Sequence, residues 1–202
     1  MVSGRCQVIS VVIRSLRPLQ WVKNGFIFAP LLFSHNFLHW RMLMETLWVA
    51  VLFSLLCSAV YLFNDLVDCR RDQAHPVKRN RPIASGRLSK KTAFIISLSL
   101  LVFVLLTTWR FFPAVWIYFL IYLALNISYT LMLKRVVIVD VMIIAFGFVI
   151  RVLMGGAVNQ LEVTPWILLM TFTLAVLLGL AKRRSELVRI GVGKETGKSR
   201  KT

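Results

Sequence analysis

The chain has 202 residues, is 58% hydrophobic, and sets 25 Lys and Arg against 8 Asp and Glu, a formal net charge of +17. A mean hydropathy of +0.74 excludes an ordinary soluble domain of this length. A nucleic-acid partner is also set aside, because the basic residues are segregated into particular loops and no aromatic-basic groove or reading motif accompanies them.

A membrane-crossing helix needs about 20 mostly apolar residues. Arg5, Arg14, Arg17 and Lys23 precede a first apolar run at 24–40, with Trp21 and Lys23 suited to a headgroup-level anchor. A second run covers 46–64. The loop after it holds eight cations: Arg70, Arg71, Lys78, Arg79, Arg81, Arg87, Lys90 and Lys91. Runs at 92–109 and 111–133 follow, parted by a very short turn at Phe112-Pro113. Lys134 and Arg135 lead into a fifth run, 136–158, which contains Asp140 and Arg151. The sixth, 163–181, opens on Thr164-Pro165-Trp166, with proline at a tolerated first-turn position. Lys182, Arg183 and Arg184 begin another basic stretch, and the tail "IGVGKETGKSRKT" reads as an open loop.

The pattern predicts an all-α fold, a polytopic integral membrane bundle of about six transmembrane helices. The opposite loops carry only Arg41, Arg110, Glu45 and Glu162, so the positive-inside rule predicts both termini in the cytoplasm. Cys6, Cys57 and Cys69 imply no disulfide framework, and His35 and His39 lack a third ligand for a metal.

The chemistry concentrates where the second run ends, in "YLFNDLVDCRRDQAHPVKRNRPIASGRLS". Asp65, Asp68 and Asp72 are spaced i, i+3, i+7, so one helix places them on a single face, with Tyr61 on the same stripe. Three like charges there repel each other. A hard divalent cation relieves that repulsion, and Mg²⁺ typically takes one or two carboxylates plus waters and substrate phosphates. The stripe therefore suggests a Mg²⁺–diphosphate site at a membrane surface. The alternative is pairing with Arg70, Arg71 and nearby cations on a solvated face. Lys78, Arg79 and Arg81 can meet phosphate oxygens, on a loop stiffened by Pro76 and Pro82.

Span five offers a second polar line. Asp140, Gly147, Arg151 and Gly155 keep near one helical face, and ionisable residues inside a span usually face a cavity or a partner. Structural pairing with other helices is the alternative. Asn126, Tyr129 and Lys134 sit at the end of span four and can line the same cavity. In "LAKRRSEL", Lys182 and Arg183 suit either a phosphate or, for Lys182 with Glu186, an exposed i, i+4 pair.

"NDLVDCRRD" matches the NDxxDxxxD signature of the UbiA-type intramembrane prenyltransferase superfamily. "LRPLQWVKN", "HPVKRNRPIASGRLS", "YTLMLK", "VVIVDVMIIAFGFVIRVLMGG" and "LGLAKRRSEL" resemble its decaprenyl-phosphate phosphoribosyltransferase branch. The resemblance implies that residues 1–202 form a single transmembrane domain in the bacterial plasma membrane, with a cytoplasmic active site. It also implies further helices beyond the six spans, so the domain is expected to be incomplete at its C-terminal side.

The implied reaction moves 5-phosphoribosyl from phosphoribosyl diphosphate to a polyprenyl phosphate, for cell-wall or glycolipid precursors. Asp65, Asp68 and Asp72 would hold Mg²⁺ on the leaving diphosphate. Asn64, Lys78, Arg79 and Arg81 would position the sugar phosphates. Lys23, Lys134, Arg151 or Lys182 would bind the acceptor phosphate, and the lipid tail would lie along helices open to the bilayer. Prenyl-diphosphate-using members carry a second aspartate motif after the sixth span, where this chain has Lys182-Arg183-Arg184-Ser185-Glu186. That departure favours two anions held differently over one diphosphate clasped from both sides. The alternatives are prenyl transfer to an aromatic or glycerol-phosphate acceptor, and a truncated inactive membrane protein.

Overall fold

The computed structural model describes the backbone of residues 10–130 and 137–199, with side chains over 10–130 and 138–185. Every element among the described residues is helical. Residues 10–16 are helical and lead into a 3-10 stretch, Pro18–Phe28, which α1 (Ala29–Phe33) continues. Then come α2 (Trp40–Val67), α3 (Cys69–Ala74) and one 3-10 turn at Lys78–Asn80. The chain continues through α4 (Lys90–Phe111), α5 (Pro113–Ser128), α6 (Val137–Val158) and α7 (Pro165–Ser199).

Among the described residues, four segments are long and apolar enough to cross a membrane: Trp40–Val67, Lys90–Phe111, Ile138–Val158 and Pro165–Ser185. The expected runs two, three, five and six fall on them. Run four is the shorter apolar helix Pro113–Ser128. The first run is displaced: helix covers 18–33, and 34–39 turn before α2 begins at Trp40. Pro18 opens the 3-10 stretch and Pro30 lies in the first turn of α1, positions where a missing amide hydrogen costs no intrahelical bond. The tail expected as a loop instead extends α7 through Ser199, since no proline after 165 interrupts the ladder.

Local chemistry sets the helix ends. Ser89 caps α4, its hydroxyl accepting from the Thr92 amide at 3.0 Å. Phe112 alone joins α4 to α5, and Pro113 and Pro165 occupy first-turn positions.

α2 runs through the interior. Phe53 and Leu56 are fully buried along it, and Phe53 meets Phe119 and Tyr122 of α5 edge-on at 5.4 and 4.7 Å between ring centroids. Lipid tails are as apolar as these side chains, so close packing and interhelical hydrogen bonds hold such a bundle together. Ser97 donates to the Ala59 carbonyl at 2.8 Å, tying α4 to α2. Asn159 donates to Thr46 Oγ1 at 2.7 Å, tying the end of α6 to the start of α2. Asn24 reaches Ser54 Oγ at 2.7 Å, and Trp21 Nε1 and the Leu16 carbonyl both bond Ser58. The 3-10 stretch is thereby pinned along α2.

Gly155 lets α6 press against the 3-10 stretch, because a Cβ there would stand 1.9 Å from the Ile27 carbonyl oxygen. Phe94, Phe103, Trp166 and Leu177 stay exposed on α4 and α7, as lipid-facing side chains do.

Candidate active site

α2 ends at Val67 and α3 starts at Cys69, so Asp68 stands at a break in the helix. The single continuous helix expected for the three aspartates is therefore interrupted. The stripe survives nonetheless, because the Asp68 amide bonds the Asn64 carbonyl and the Asp72 amide bonds the Asp68 carbonyl, both at 2.9 Å. Asp65 and Asp72 are buried, at 5% and 4% exposure, and all three aspartates line one cavity of about 570 Å³.

The carboxylates are already met by cations. Arg17 Nη2 donates to both Asp65 oxygens, at 2.6 and 2.8 Å. Arg81 Nη1 donates to Asp65 at 3.0 Å and to Asp72 at 2.7 Å, bridging the two. Of the cations named in the alternative reading, it is a nearby one in the loop, Arg81, that pairs; the positions of Arg70 and Arg71 face outward, although Arg71 reaches the cavity rim. Arg81 is brought in by its loop. Ile83 and Leu88 sink into an apolar cluster with Leu62, Cys69 and Ala93, so the loop folds back over α2. Gly86, at φ 76, makes a turn that a β-carbon would strain. Arg17 sits at φ 54, unusual for a residue with a side chain, and its two bonds to Asp65 help hold it there.

Other elements bring further cations to the cavity. Lys23, Arg151 and Lys182 line the cavity. Burial pushes the Lys23 ammonium below its ordinary lysine pKa, and the neighbouring charges of Arg151 and Lys182 push the same way. Arg151 is 5% exposed. Its Nε donates to Asn24 Oδ1 at 2.8 Å, Nη1 to the Gly147 carbonyl, and Nη2 to Cys57 Sγ at 3.7 Å. Its guanidinium carbon lies 5.0 to 5.4 Å from the ring centroids of Phe53, Tyr122 and Phe148.

Asn64, Tyr129 and Asp140 also line the cavity, as do Asn126 and Lys78. Thr130 bonds Asn64 Oδ1, and Asp140 accepts from the Tyr129 hydroxyl and from Arg183 Nη2. Arg183 is thus engaged with a carboxylate and is not among the cavity-lining residues. Arg79 is exposed and does not line the cavity either, because its turn carries it outward. Lys134 falls outside the described residues. Of the residues that sequence reasoning did not select for the site, Arg17 matters most. Only its place in "LRPLQWVKN" marked it, and Asp65 lies 48 residues away. A second, apolar cleft of about 140 Å³ between α2, α4 and α5 shares Asn64 and Asn126 with the polar cavity.

Among the described residues, no three His, Cys, Asp or Glu side chains converge as a ready-made metal cage. The donors nevertheless fit Mg²⁺, which is usually held by one or two carboxylates and completed by waters and substrate phosphates. Asp65 and Asp72 are close enough to share one cationic nitrogen of Arg81.

The UbiA prenyltransferase family model matches residues 25–186. An uncharacterized protein of Sinorhizobium fredii is 36% identical over 86% of this chain and 34% of its own length. Decaprenyl-phosphate phosphoribosyltransferase of Mycobacterium tuberculosis is 31% identical over 89% of this chain and 61% of its own. The chain therefore spans less than two thirds of either relative. A UbiA homolog from Archaeoglobus fulgidus, solved bound to DMAPP and Mg²⁺, superposes with a TM-score of 0.64 at 19% identity, over 82% of this chain and 60% of that one. The fold, the helix order and the family match agree, and the chain belongs to the UbiA prenyltransferase family.

Proposed function

We propose that the protein transfers 5-phosphoribosyl from phosphoribosyl diphosphate to a polyprenyl phosphate at the cytoplasmic face of the plasma membrane. The observation that carries the reading is that one cavity is lined both by Asp65, Asp68 and Asp72 and by Lys23, Arg151 and Lys182, which among the described residues pair with none of those three. The three aspartates suit a metal-borne diphosphate and these cations a directly bound anion. The similarity to a decaprenyl-phosphate phosphoribosyltransferase supports the same pairing of substrates.

In this scheme Asp65, Asp68 and Asp72 would hold Mg²⁺, whose charge would stabilise the leaving diphosphate. Arg17 and Arg81 lie against the same carboxylates and can turn their guanidinium groups to the diphosphate oxygens. Lys78 and Asn64 meet the sugar phosphates, with Arg79 at the outer edge. An ionised oxygen of the acceptor phosphate attacks the anomeric carbon. The anomeric C–O bond breaks, its electron pair leaves on the diphosphate, and the new C–O bond joins ribose to the lipid phosphate. No proton need be removed, so the scheme requires no general base. The apolar cleft beside Asn64 and Asn126 gives an isoprenoid tail a route toward the bilayer.

Prenyl transfer is the second reading, supported by the DMAPP-bound homolog of similar fold. Mass spectrometry of lipids from membranes given both donors separates the two. A polyprenyl-phosphoryl phosphoribose product supports the proposal. A prenylated aromatic or glycerol-phosphate product, with no phosphoribosylated lipid, refutes it.

A further inference from the structure

Arg151 is a charge buried among neutral groups. Its guanidinium is held by an amide oxygen, a carbonyl and a sulfur, and is ringed by three aromatic faces. No carboxylate pairs with it among the described residues: Asp65 and Asp72 are taken by Arg17 and Arg81, and Asp140 by Arg183. A charge taken from water without a counter-ion costs several kcal/mol, more than neutral hydrogen bonds return. A merely structural position would be served more cheaply by an apolar side chain of the same volume. The missing partner is an anion, and Arg151 opens onto the cavity from which an anion can come.

Position narrows which anion. Arg151 is eleven residues along α6 from Asp140, about 16 Å deeper in the bundle. On α2 its contact Cys57 is eight residues before Asp65, about 12 Å along the helix. A water-soluble phosphate meets the outer cations first, Lys78 and Arg81 at the loop. The inner cation is left for an anion that arrives with an apolar tail. Lys23 lines the same cavity and adds a second positive charge there.

We propose that Arg151, assisted by Lys23, is the receptor for a lipid phosphate monoester, fixing the acceptor headgroup deeper in the cavity than the aspartates. This rests on the transferase reading for the identity of the acceptor, and it goes further in assigning the headgroup to the deep arginine rather than to Lys182. The planar fork of the guanidinium suits two phosphate oxygens, whereas an ammonium offers only a point charge.

The test uses the full chain in nanodiscs and measures binding of undecaprenyl phosphate, undecaprenol, and phosphoribosyl diphosphate with Mg²⁺, together with thermal unfolding. Wild type should bind the phosphate-bearing lipid and not the alcohol. Arg151→Met should stay folded without ligand and bind the lipid phosphate at least roughly tenfold more weakly, the loss of a charge-assisted contact. Arg151→Lys should fall between them, and it carries the test if the methionine variant does not fold. Asp65→Asn should keep the lipid phosphate and lose the donor. Unchanged lipid-phosphate affinity in both Arg151 variants overturns the assignment. So does loss of the donor with the lipid retained, which would give Arg151 to the donor's own phosphate. Lipid phosphate held at Arg151 with no phosphoribosyl donor bound by wild type would leave the assignment standing and sink the transferase reading instead.

Discussion

Arg81→Ala removes a side chain that bridges two carboxylates. Arg81 Nη1 lies 3.0 Å from Asp65 and 2.7 Å from Asp72. Asp65 keeps Arg17 at 2.6 Å, so its loss is partial. Asp72 is 4% exposed and, among the described residues, has no other side-chain partner. A hydrogen bond to a charged group is worth about 1.5–3 kcal/mol, and leaving a buried acceptor unsatisfied costs at the upper end. The Arg81 side chain is 28% exposed, which discounts the sum, and about 3 kcal/mol is the expected loss in the ligand-free protein. For a chain of this size that lowers Tm by roughly 6–12 °C. The assay is thermal unfolding of purified protein in nanodiscs without metal. Asp72→Asn in the Arg81→Ala background removes the stranded charge and should recover at least half of the drop, as a double-mutant cycle measures. A Tm within about 1 °C of wild type for Arg81→Ala, or no recovery in the double variant, would refute the claim that this bridge organises the site.

Other positions give further checks. Gly155→Ala sets a methyl against the Ile27 carbonyl, where the β-carbon would approach to 1.9 Å, so Tm should fall by the upper part of the 1–3 kcal/mol typical of overpacking, about 4–10 °C. Gly25→Ala meets nothing within 4 Å and should leave Tm nearly unchanged, so equal effects of the two variants in the same unfolding assay would sink the close-approach argument. Asp140→Asn keeps an acceptor for Tyr129 but removes the charge facing Arg183, whose side chain is 41% exposed. Its cost should stay under about 1 kcal/mol. Asp140→Ala loses both bonds and should cost about twice as much, an ordering that chemical denaturation of the two variants checks.

The membrane helices were legible because most of the apolar runs end at a charge. Run 92–109, for example, is bracketed by Lys90, Lys91 and Arg110 and lies inside Lys90–Phe111. The first segment was not legible in the same way. It is a 3-10 stretch that bonds sideways to α2 through Trp21 and the buried Asn24, and hydrophobicity alone cannot register that. The aspartate stripe could be read from spacing even though the helix breaks at Asp68, since a short interruption leaves the face intact.

Which cation meets which acid could not be read. Arg70 and Arg71 adjoin the aspartates in sequence, yet Arg17 and Arg81 reach Asp65, because the bend at Arg17 and the buried Ile83 loop decide the approach. Asp140 and Arg151 share a helix and both line the cavity, but their partners differ, Arg183 for one and neutral acceptors for the other. Long-range pairing of this kind depends on packing between helices, and sequence periodicity reports only the face.

The central claim is metal-dependent transfer of phosphoribosyl to a lipid phosphate. Its most direct test incubates membranes containing the protein with radiolabelled phosphoribosyl diphosphate, Mg²⁺ and polyprenyl phosphate, and counts label extracted into organic solvent. The account predicts lipid-borne label that disappears with EDTA and with Asp65→Asn/Asp68→Asn. Label that survives both controls, or no label from inserted and folded wild type, would contradict it.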